Sequence, residues 1–365
     1  MEQHKQRVVI CGAGVIGAAV AYYLALRGVA TTLVERCDVA CAASGKAGGF
    51  LALDWCDGSP LAPLARTSFH LHAQLAQTLG LDYGYRRLTT LGLAADVREP
   101  RQPRRLPAEL AWLDGQGVPY SRLGTPDTTA QVHPAQFTRA LLQAAQARGA
   151  RVHLGCVEGL DIAHGGVRGV QVSGQVIPAD VVVIAMGPWS GLAAQWLPLP
   201  PVWGLKGHSI TVRPSTPIPA QALFVDYITP TGERLAPEVY PRPDGEIYLC
   251  GVSEEAHLPE DPAQVQVRPE AGALLQQIAG SLSSSLADLP LHRAQACYRP
   301  VTADGLPLLG AVPEVSGAYI ATGHSCWGIL NAPASGLALA ELIVDGHASS
   351  VDLAPFAPQR ALAQH

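Results

Sequence analysis

Residues 8–17 have the sequence VVICGAGVIG, and Glu35 stands at the end of the next apolar segment. The apolar run Val8–Cys11 predicts a buried strand, the Ala- and Leu-rich run Val15–Arg27 predicts a helix, and Thr31–Glu35 predicts a second strand. Glycines spaced as GxGxxG between a strand and a helix are typical of the βαβ unit that binds dinucleotides. The stretch therefore predicts an α/β fold with a Rossmann-like domain near the start of the chain.

Three glycines and one carboxylate of this unit suit an ADP group. Gly12 permits a tight turn, Gly14 lets a pyrophosphate approach the backbone, and Gly17 lets the helix pack closely on the strand. The N–H groups at the helix start, Val15–Ile16, offer hydrogen bonds and the positive end of the helix dipole to the phosphates. Glu35 can accept hydrogen bonds from the ribose hydroxyls. The alternative is a glycine-rich turn that binds no ligand.

A second segment of small residues favours FAD over NAD. Residues 42–49 have the sequence AASGKAGG and follow the strand that ends at Glu35. Such residues let the backbone approach a second part of the same ligand, whereas an NAD dehydrogenase would usually have another helix here. Ser44 and Lys46 can add hydrogen-bond donors. The alternative is an ordinary surface loop.

Composition and charge exclude several classes of protein. Hydrophobic residues make up 48% and charged residues 15% of the 365-residue chain, which fits about two folded domains and excludes disorder. The net charge of −5 argues against nucleic acid as a partner, because binding phosphates needs clustered Lys and Arg. The basic run Arg98–Arg105 is interrupted by prolines and predicts a solvated loop.

The sequence favours a cytoplasmic protein. No uninterrupted run of apolar residues approaches the roughly 18–20 that a membrane span requires, and no secretory signal precedes the first strand. The eight cysteines contain no CxxC pair and have no histidines at metal-ligand spacing. Reduced thiols and no metal site are therefore expected.

The pattern of elements divides the chain into a nucleotide domain and an inserted sheet. Helices are predicted at 60–79, 135–148, 272–286 and 334–344, and strands at 86–97, 151–156, 167–172, 181–184 and 319–321. Between about Trp203 and Ile247, short alternating segments separated by Pro and Gly predict an antiparallel sheet. The predicted FAD-binding domain comprises residues 1–80, 130–200 and 295–365, and the predicted substrate domain comprises residues 81–129 and 201–294.

Two segments near the C-terminus carry a family resemblance. Residues 297–310 have the sequence CYRPVTADGLPLLG, and residues 323–336 have the sequence GHSCWGILNAPASG. Over nearly its whole length the chain resembles the D-amino-acid oxidase superfamily of FAD-dependent oxidoreductases, with a layout similar to glycine oxidase and sarcosine oxidase. The strings ASGKAGG, YRRLTT and GHSCWGI are most similar to a fungal and plant-type subgroup. The resemblance implies a glutathione-reductase-type FAD-binding domain with an inserted antiparallel β-sheet substrate domain.

The resemblance assigns the substrate carboxylate to Arg299. In this family the arginine of the block RP-x-T-x-D-G binds that carboxylate. A guanidinium holds a planar carboxylate with two parallel hydrogen bonds and thereby orients the α-carbon. The alternative is a structural role for Arg299, in an ion pair with Asp304 or a hydrogen bond to a sheet carbonyl.

Three further catalytic residues are implied, each with a structural alternative. Lys206 would lie near flavin N5 and assist oxygen activation, or it is a solvated lysine. Tyr240 would hydrogen-bond the substrate, or it packs in the core. His324 would lie beside the flavin and relay protons, or it is a buried structural histidine.

The resemblance also extends the set of positions expected to bind FAD. Residues 323–336 would pass the flavin ring and begin the last helix, and their N–H groups would stabilise negative charge on the reduced ring. Cys326, Trp327 and Asn331 depart there from glycine oxidase, which leaves the substrate open. The positions expected to bind FAD are Gly12, Gly14, Val15, Ile16, Gly17, Glu35, Arg36, Ser44, Gly45, Lys46, Gly48, Val157, Gly187, Gly323, His324, Gly328 and Ile329.

Cys297 resembles by position the cysteine that carries covalent flavin in monomeric sarcosine oxidase, two residues before Arg299. Related enzymes with non-covalent flavin have a small residue there, and a free cysteine usually behaves as a small buried hydrophobe. We expect non-covalent FAD.

The expected function is FAD-dependent oxidation of the C–N bond of an amino acid or related amine. Hydride would pass to flavin N5, and oxygen would reoxidise the flavin with release of hydrogen peroxide. The expected partner is a small molecule that carries a carboxylate and an amine, without nucleic acid or membrane; a homo-oligomer stays open. Two alternatives remain: a dehydrogenase of a hydroxy acid or amine that uses another electron acceptor, and a flavin-binding scaffold without turnover.

Overall fold

The computed structural model describes residues 6–99 and 106–362. Residues 100–105, which belong to the predicted basic loop, lie outside the described residues. The strands are β1 (Val8–Cys11), β2 (Thr31–Glu35), β3 (Phe50–Ala52), β4 (Arg86–Arg87), β5 (Thr89–Asp96), β6 (Val118–Gly124), β7 (Thr129–Gln131), β8 (Arg151–Leu154), β9 (Val157–Ala163), β10 (Gly166–Val172), β11 (Gln175–Pro178), β12 (Val181–Ile184), β13 (Trp203–Val212), β14 (Gln221–Ile228), β15 (Arg234–Leu235), β16 (Glu238–Pro241), β17 (Ile247–Glu254), β18 (Arg293–Val301), β19 (Leu308–Ala311) and β20 (Ala318–Thr322). The α-helices are α1 (Val15–Leu26), α2 (Ala43–Lys46), α3 (Ala62–Thr78), α4 (Pro134–Gln146), α5 (Pro269–Leu282), α6 (Gly328–Asp345) and α7 (Gln359–Leu362). 3-10 helices lie at Ala108–Leu110, Gly187–Gln195, Pro262–Gln264, Ser284–Leu286, Ser325–Trp327 and Ala354–Phe356.

A six-stranded sheet forms the centre of the dinucleotide domain. Its order is β19-β20-β12-β1-β2-β8, and every neighbouring pair is parallel except β19 with β20. All four residues of β1 are buried, because the strand has neighbours on both sides and packed layers on both faces. The bounds predicted for β1 and β2 match the observed strands. The α/β fold with a Rossmann-like domain is confirmed.

Two apolar layers cover this sheet. On one face α1, α4 and α6 share a core with Ile10 of β1 and Leu33 of β2. On the other face the small antiparallel sheet β9-β10-β11 shares a core, through Val170, with Val9 and Val34. Because successive residues of a strand point to opposite faces, β1 and β2 contribute to both cores.

Helix α6 begins earlier than the predicted start at Ala334, because α3 compensates for a proline inside it. Pro333 has no N–H, so the carbonyl of Ile329 loses its helical donor. The buried imidazole of His72 donates from Nε2 to that carbonyl at 3.0 Å. The N–H of Ala334 donates to Oγ of Ser68 at 3.1 Å. The predicted start was therefore wrong, since two side chains of α3 satisfy the backbone groups around the proline.

His72 predicts a loss of stability in mild acid. Burial lowers the pKa of His72 to about 4 from an ordinary value of 6.5. The unfolded chain therefore binds a proton more readily than the folded protein. The contribution of neutral His72 to the free energy of unfolding is therefore complete above about pH 6.5. It decreases as the pH falls toward 4, by up to about 1.4 kcal/mol per pH unit. We expect urea titration, followed by tryptophan fluorescence, to give the FAD-loaded protein a lower free energy of unfolding at pH 5 than at pH 7.

The matched control for this prediction is His72→Gln, which keeps an N–H donor and does not titrate in this range. Its loss of stability between pH 7 and pH 5 should be smaller than that of the natural protein by about 1–2 kcal/mol. His324, whose pKa burial likewise lowers to about 4, contributes to both proteins alike. An identical pH dependence in the two proteins would contradict the prediction.

An eight-stranded sheet forms the second part of the fold. Its order is β18-β13-β17-β16-β14-β5-β6, with β15 paired to β14 outside this path. Neighbouring strands are antiparallel except β14 with β5, which are parallel. One face shares a core with α5, in which Leu275 and Ile278 lie with Ile210 and Leu249. The predicted antiparallel sheet is confirmed, apart from the one parallel pair.

The predicted domain boundaries can be compared with the strands. All strands of the six-stranded sheet fall within the segments 1–80, 130–200 and 295–365. Strand β18 crosses the predicted boundary at residue 295, because its pairing with β13 continues through Val301. The division into domains stays a prediction.

The segment Ser325–Asp345 is long and apolar enough, by length and composition alone, to cross a membrane. However, 72% of its most apolar window is buried inside the protein. Gly336 packs directly on α1, where a Cβ would lie 2.6 Å from the carbonyl carbon of Ala19. These contacts identify α6 as a core helix of the fold.

Candidate active site

The two large sheets border a cavity of about 660 Å³. Gly12 and Glu35 line it at the carboxyl ends of β1 and β2, and Arg299, Tyr240 and Glu238 line it at the eight-stranded sheet. Ligands of open α/β sheets bind at the carboxyl ends of the strands. The cavity therefore joins the predicted cofactor loops to the predicted substrate residues.

The turn after β1 has the close contacts that require glycine. Gly12 has a φ of +109°, and a Cβ there would lie 2.4 Å from the carbonyl oxygen of Ala185. A Cβ on Gly17 would lie 2.1 Å from the carbonyl oxygen of Gly12, so Gly17 permits helix packing and does not itself line the cavity. Gly14 does line it, and a Cβ there would lie 3.0 Å from Oγ of Ser44.

The carboxylate of Glu35 holds the loops around the end of β2. Its Oε2 accepts a hydrogen bond from the N–H of Ala13 at 2.8 Å, and its Oε1 accepts one from the N–H of Cys37 at 3.1 Å. Cys37 and Cys41 form a disulfide beside it. The expectation of reduced cysteines was therefore wrong for this pair. The turn after β2 brings the two Cα atoms to 6.6 Å, a proximity that the spacing in sequence does not reveal.

Six residues of the small-residue segment line the cavity: Ala42, Ala43, Ser44, Ala47, Gly48 and Gly49. Ser44 lies in the short helix α2, and its Oγ accepts a hydrogen bond from the N–H of Val15 at 2.9 Å. Gly48 lets the eight-stranded sheet approach, since a Cβ there would lie 2.4 Å from the ring of Tyr240. The segment thus links the helix start to the substrate side of the cavity.

Gly45 and Lys46, also predicted to bind the cofactor, do not line the cavity. A Cβ on Gly45 would lie 2.0 Å from the carbonyl oxygen of Ala40, so this glycine permits close backbone packing. Lys46 donates from Nζ to the carbonyl of Ala296 at 3.1 Å, and burial lowers its pKa. Gly45 and Lys46 therefore contribute to the packing of the loop and not to the surface of the cavity.

Most of the remaining positions expected to bind FAD line the cavity. Gly323 is the exception: its φ is +79°, and a Cβ there would lie 2.7 Å from Cγ2 of Thr302. It turns the chain after β20 toward His324. The predicted positions that do line the cavity are Val15, Ile16, Arg36, Val157, Gly187, Gly328 and Ile329.

His324 lines the cavity and is almost fully buried. Its Nε2 lies 3.0 Å from Oγ of Ser335 in α6. Burial lowers the pKa of His324 to about 4, so the imidazole is neutral at pH 7. Within the described part of the chain its Nδ1 has no hydrogen-bond partner.

Arg299 faces the cavity without a carboxylate partner among the described residues. Its Nη2 donates to Oγ of Ser253 at 2.6 Å, and its buried Nε finds no acceptor in the described part of the chain. Asp304, the partner considered in the structural alternative, pairs with Arg360 at 2.9 Å. The guanidinium is therefore positioned by the sheet and free to bind an anion.

Lys206 is not brought to this site. Its Nζ forms an ion pair with Glu254 at 2.9 Å, and the residue does not line the cavity. The side chain is 12% exposed, so Lys206 is neither free in solvent nor directed at the predicted flavin site. This position does not support a role in oxygen activation.

Tyr240 lines the cavity and is buried. Its hydroxyl donates a hydrogen bond to Oε2 of Glu238, two residues earlier on the same face of β16. Burial raises the pKa of Tyr240 well above its ordinary value. Glu238 was not predicted from the sequence, although its spacing of two residues from Tyr240 on a strand indicates a shared face.

A group of aromatic residues was also missed. Phe50, Trp55, Phe224 and Trp327, called here the aromatic wall, all line the cavity beside Tyr240. The ring centroids of Trp55 and Phe224 are 4.7 Å apart, those of Phe50 and Trp55 are 5.0 Å apart, and those of Trp55 and Trp327 are 6.5 Å apart. The four residues come from three separate segments of the chain, so no local pattern predicts that all of them meet.

Comparison with known proteins identifies the family. The profile described as FAD dependent oxidoreductase (DAO) matches residues 7–342. This chain belongs to that family. Among its relatives, the Schizosaccharomyces pombe protein C1F5.03c is 32% identical over 98% of this chain and 99% of that protein. The Pseudomonas aeruginosa glycine oxidase is 31% identical over 97% of this chain and 98% of that protein. The structure of glycine oxidase from Geobacillus kaustophilus has a TM-score of 0.80 at 27% identity, over 97% of this chain and 99% of that one.

The cofactor of this DAO-family chain is FAD, and the residues around the cavity fit it. A Cβ on Gly12 would collide with the carbonyl of Ala185 and one on Gly14 would approach Ser44, so both glycines permit the tight turn whose following helix start offers backbone N–H groups to phosphates. Glu35 lies where ribose hydroxyls can donate to it. The ADP part would be held at this end, and His324 with Gly328 would border the ring at the other.

Cys297 lines the cavity in this DAO-family chain as a free thiol. Burial raises the pKa of that thiol, which disfavours the thiolate that covalent attachment to flavin needs. We expect acid precipitation of the purified protein to release its FAD into the supernatant. Yellow colour that stays in the pellet, and is lost in Cys297→Ser, would show that the flavin is covalent.

Proposed function

We propose that this chain oxidises the C–N bond of an amino acid or related amine, with FAD as hydride acceptor and oxygen as final acceptor, which releases hydrogen peroxide. The observation that carries the proposal is the guanidinium of Arg299. It faces the FAD-binding cavity, and among the described residues no carboxylate pairs with it. An unpaired cation in such a site favours an anionic substrate group.

The surroundings of Arg299 suit a carboxylate in particular. Ser253 holds one end of the guanidinium at 2.6 Å, which restricts its orientation. The buried Nε, with no acceptor among the described residues, offers a further donor. A carboxylate can accept two parallel hydrogen bonds from this planar group, which would orient the carbon that bears the amine. Glycine oxidases among the relatives agree with an amino-acid substrate.

The remaining lining residues would position the substrate and exclude water. Bound FAD supplies the acceptor for the hydride. The aromatic wall and Tyr240 form an apolar boundary on the substrate side, and desolvation strengthens every polar contact inside. His324 is neutral at pH 7, so it repels neither a cationic substrate nor its positively charged product. Positioning and desolvation would supply most of the rate acceleration.

An anaerobic screen tests this proposal. The FAD-loaded protein is mixed with amino acids of both configurations, N-alkylated amino acids, amines and hydroxy acids, and loss of the oxidised-flavin absorption band is followed. We expect bleaching by a carboxylate-bearing amine and, in air, hydrogen peroxide equal to the amine consumed. Bleaching by hydroxy acids alone, or by none of the compounds, would overturn the proposal. If an amine bleaches the flavin but no peroxide forms in air, the final electron acceptor is a compound other than oxygen.

A further inference from the structure

Glu238 presents a carboxylate to the cavity without a cationic partner. Its Oε2 accepts hydrogen bonds from the hydroxyl of Tyr240 and, at 3.5 Å, from Sγ of Cys250. Among residues 6–99 and 106–362, no hydrogen bond reaches its Oε1, and no lysine, arginine or histidine forms an ion pair with it. Burying a carboxylate, even in part, costs free energy unless a cation or a hydrogen-bond donor compensates for the lost water. The free oxygen therefore favours a ligand group that is cationic and donates hydrogen bonds.

Arg299 and Glu238 are two opposite charges on the surface of the same cavity. No ion pair joins these two described residues, so a gap remains between the guanidinium and the carboxylate. Burial raises the pKa of Cys250 well above its ordinary value, Glu238 raises that pKa further, and Arg299 lowers it. Both charges therefore act on one thiol of the cavity surface. A ligand beside that thiol meets a positive charge on one side and a negative charge on the other.

The register of the sheet sets the spacing between the two charges. Arg299 is anchored at Ser253 and Glu238 at Cys250, both on β17. Strand β17 bulges between these anchors, because Ser253 pairs with Gly207 and Cys250 pairs with the residue two positions further along β13. The anchors are therefore about two residues apart, or roughly 7 Å at about 3.3 Å per residue. An α-amino acid carries its carboxylate and its amine on one carbon, and a hydrogen bond of about 2.8 Å at each end lets it contact both charges.

The aromatic wall strengthens a charged contact at Glu238. The ring of Tyr240, whose hydroxyl contacts Glu238, lies 5.6 Å from the ring of Phe50 and 6.0 Å from that of Phe224. Opposite charges attract more strongly where such side chains exclude water. The faces of aromatic rings also carry partial negative charge and attract an ammonium group.

We propose that Glu238 binds the α-amine of the substrate while Arg299 binds the carboxylate of the same α-amino acid. This inference rests on the proposed amino-acid oxidation and names the residue that recognises the nitrogen. With both ends held, the α-carbon has a fixed orientation in the cavity. Glu238 also separates amino acids from hydroxy acids, because a hydroxyl in the place of the amine brings no positive charge to the carboxylate.

Three ligands without an α-hydrogen test the inference in the FAD-loaded natural protein. α-Aminoisobutyrate, 2-hydroxyisobutyrate and trimethylacetate each have a carboxylate and two methyl groups on the α-carbon, and they differ only in an ammonium, a hydroxyl or a third methyl group. Perturbation of the flavin absorption spectrum at pH 7 gives each dissociation constant. We expect α-aminoisobutyrate to bind at least about tenfold more tightly than the other two, as a charge-assisted hydrogen bond predicts. Equal dissociation constants would overturn the inference.

A second set of ligands applies if the methyl groups prevent all three compounds from binding. The amino acid that reduces the flavin in the anaerobic screen then replaces α-aminoisobutyrate, and its α-hydroxy and deamino analogues are tested as competitors. The amino acid should half-saturate the rate of reduction at a concentration at least about tenfold below the inhibition constants of both analogues. An analogue that binds as tightly as the amino acid would overturn the inference. If no compound of the screen reduces the flavin, the proposed function fails and this inference fails with it.

Variants then assign the preference for the amine to Glu238. Glu238→Gln keeps an acceptor for Tyr240 and Cys250 but has no charge, so the preference should shrink to within about threefold. The matched control is Glu233→Gln, an exposed glutamate in the turn between β14 and β15, which should keep the full preference. A full preference in Glu238→Gln, at normal FAD content, would overturn the role of Glu238.

Trimethylacetate separates failure of this inference from failure of the proposed function. It carries a carboxylate and no amine, so its effect on the flavin spectrum reports only the Arg299 end of the cavity. If Arg299→Ala loses the binding of trimethylacetate while the amine gives no advantage in the natural protein, only the role of Glu238 fails. If trimethylacetate binds the natural protein and Arg299→Ala equally well, the proposed amino-acid function fails too.

Discussion

Arg299→Ala is expected to lower the second-order rate constant for anaerobic flavin reduction by the substrate about 100- to 1000-fold. In the proposed function the substitution removes a charge-assisted, two-point contact with the substrate carboxylate, a loss of roughly 2–5 kcal/mol in a desolvated site. Each factor of ten in rate corresponds to about 1.4 kcal/mol. In the structure the guanidinium is held by Ser253 and paired with no carboxylate of the described residues, so its loss breaks no ion pair there. Stopped-flow absorption at the flavin band measures the effect.

Two further variants separate substrate binding from structure. Arg299→Lys should restore only part of the rate, because it keeps the charge and loses the planar fork. Arg293→Ala, at the exposed start of the same strand, should react like the natural protein. FAD content should stay near normal in all three variants. If Arg299→Ala reduces its flavin as fast as Arg293→Ala, Arg299 does not bind the substrate carboxylate.

Gly14→Val is expected to yield protein with less than about a tenth of the normal FAD. A Cβ at Gly14 would already lie 3.0 Å from Oγ of Ser44, and the two methyl groups of valine would extend further into the space expected for the pyrophosphate. Overpacking of this kind costs about 1–3 kcal/mol even where no ligand is displaced, and here it also blocks the N–H groups at the start of α1. The ratio of flavin to protein absorption measures the occupancy.

Ala30→Val is the matched control for Gly14→Val. Ala30 is an exposed residue of the same βαβ unit outside the cavity, so valine there adds two methyl groups without approaching the cofactor. Both variants should keep the far-ultraviolet circular dichroism of the natural protein. Full FAD occupancy in Gly14→Val would contradict the assignment of the GAGVIG turn to the pyrophosphate.

Local sequence predicts those parts of the site whose structure depends on residues close together in the chain. The GAGVIG turn, the strand before it and the helix after it depend on backbone conformation and short-range packing, so spacing alone places Gly12, Gly14 and Glu35 in one unit. Arg299 was predicted because it stands within a contiguous motif, and it lines the cavity. Gly12, Gly14, Glu35 and Arg299 all line the cavity.

Other predictions failed because their outcome depends on residues far away in the chain. Lys206 was expected near the flavin, but strand pairing of β13 with β17 places Glu254 opposite it and fixes an ion pair. Pro333 was expected to precede a helix, but His72 and Ser68 of α3 accommodate it inside one. In both cases a partner outside the local window decided the position of the side chain.

The sequence by itself therefore determined the βαβ unit and the cofactor class, and it predicted Arg299 for the substrate carboxylate, since each rests on contiguous residues whose conformations and chemistry are local. Only the tertiary structure decided what the arginine faces. Glu238 on β16, Phe50 on β3, Phe224 on β14 and Trp327 before α6 meet in one cavity because sheet register and layer packing bring distant segments together. Hydrophobic burial and backbone pairing act between elements irrespective of their separation in sequence. The substrate side of this site is therefore determined by tertiary packing, and no local motif predicts it.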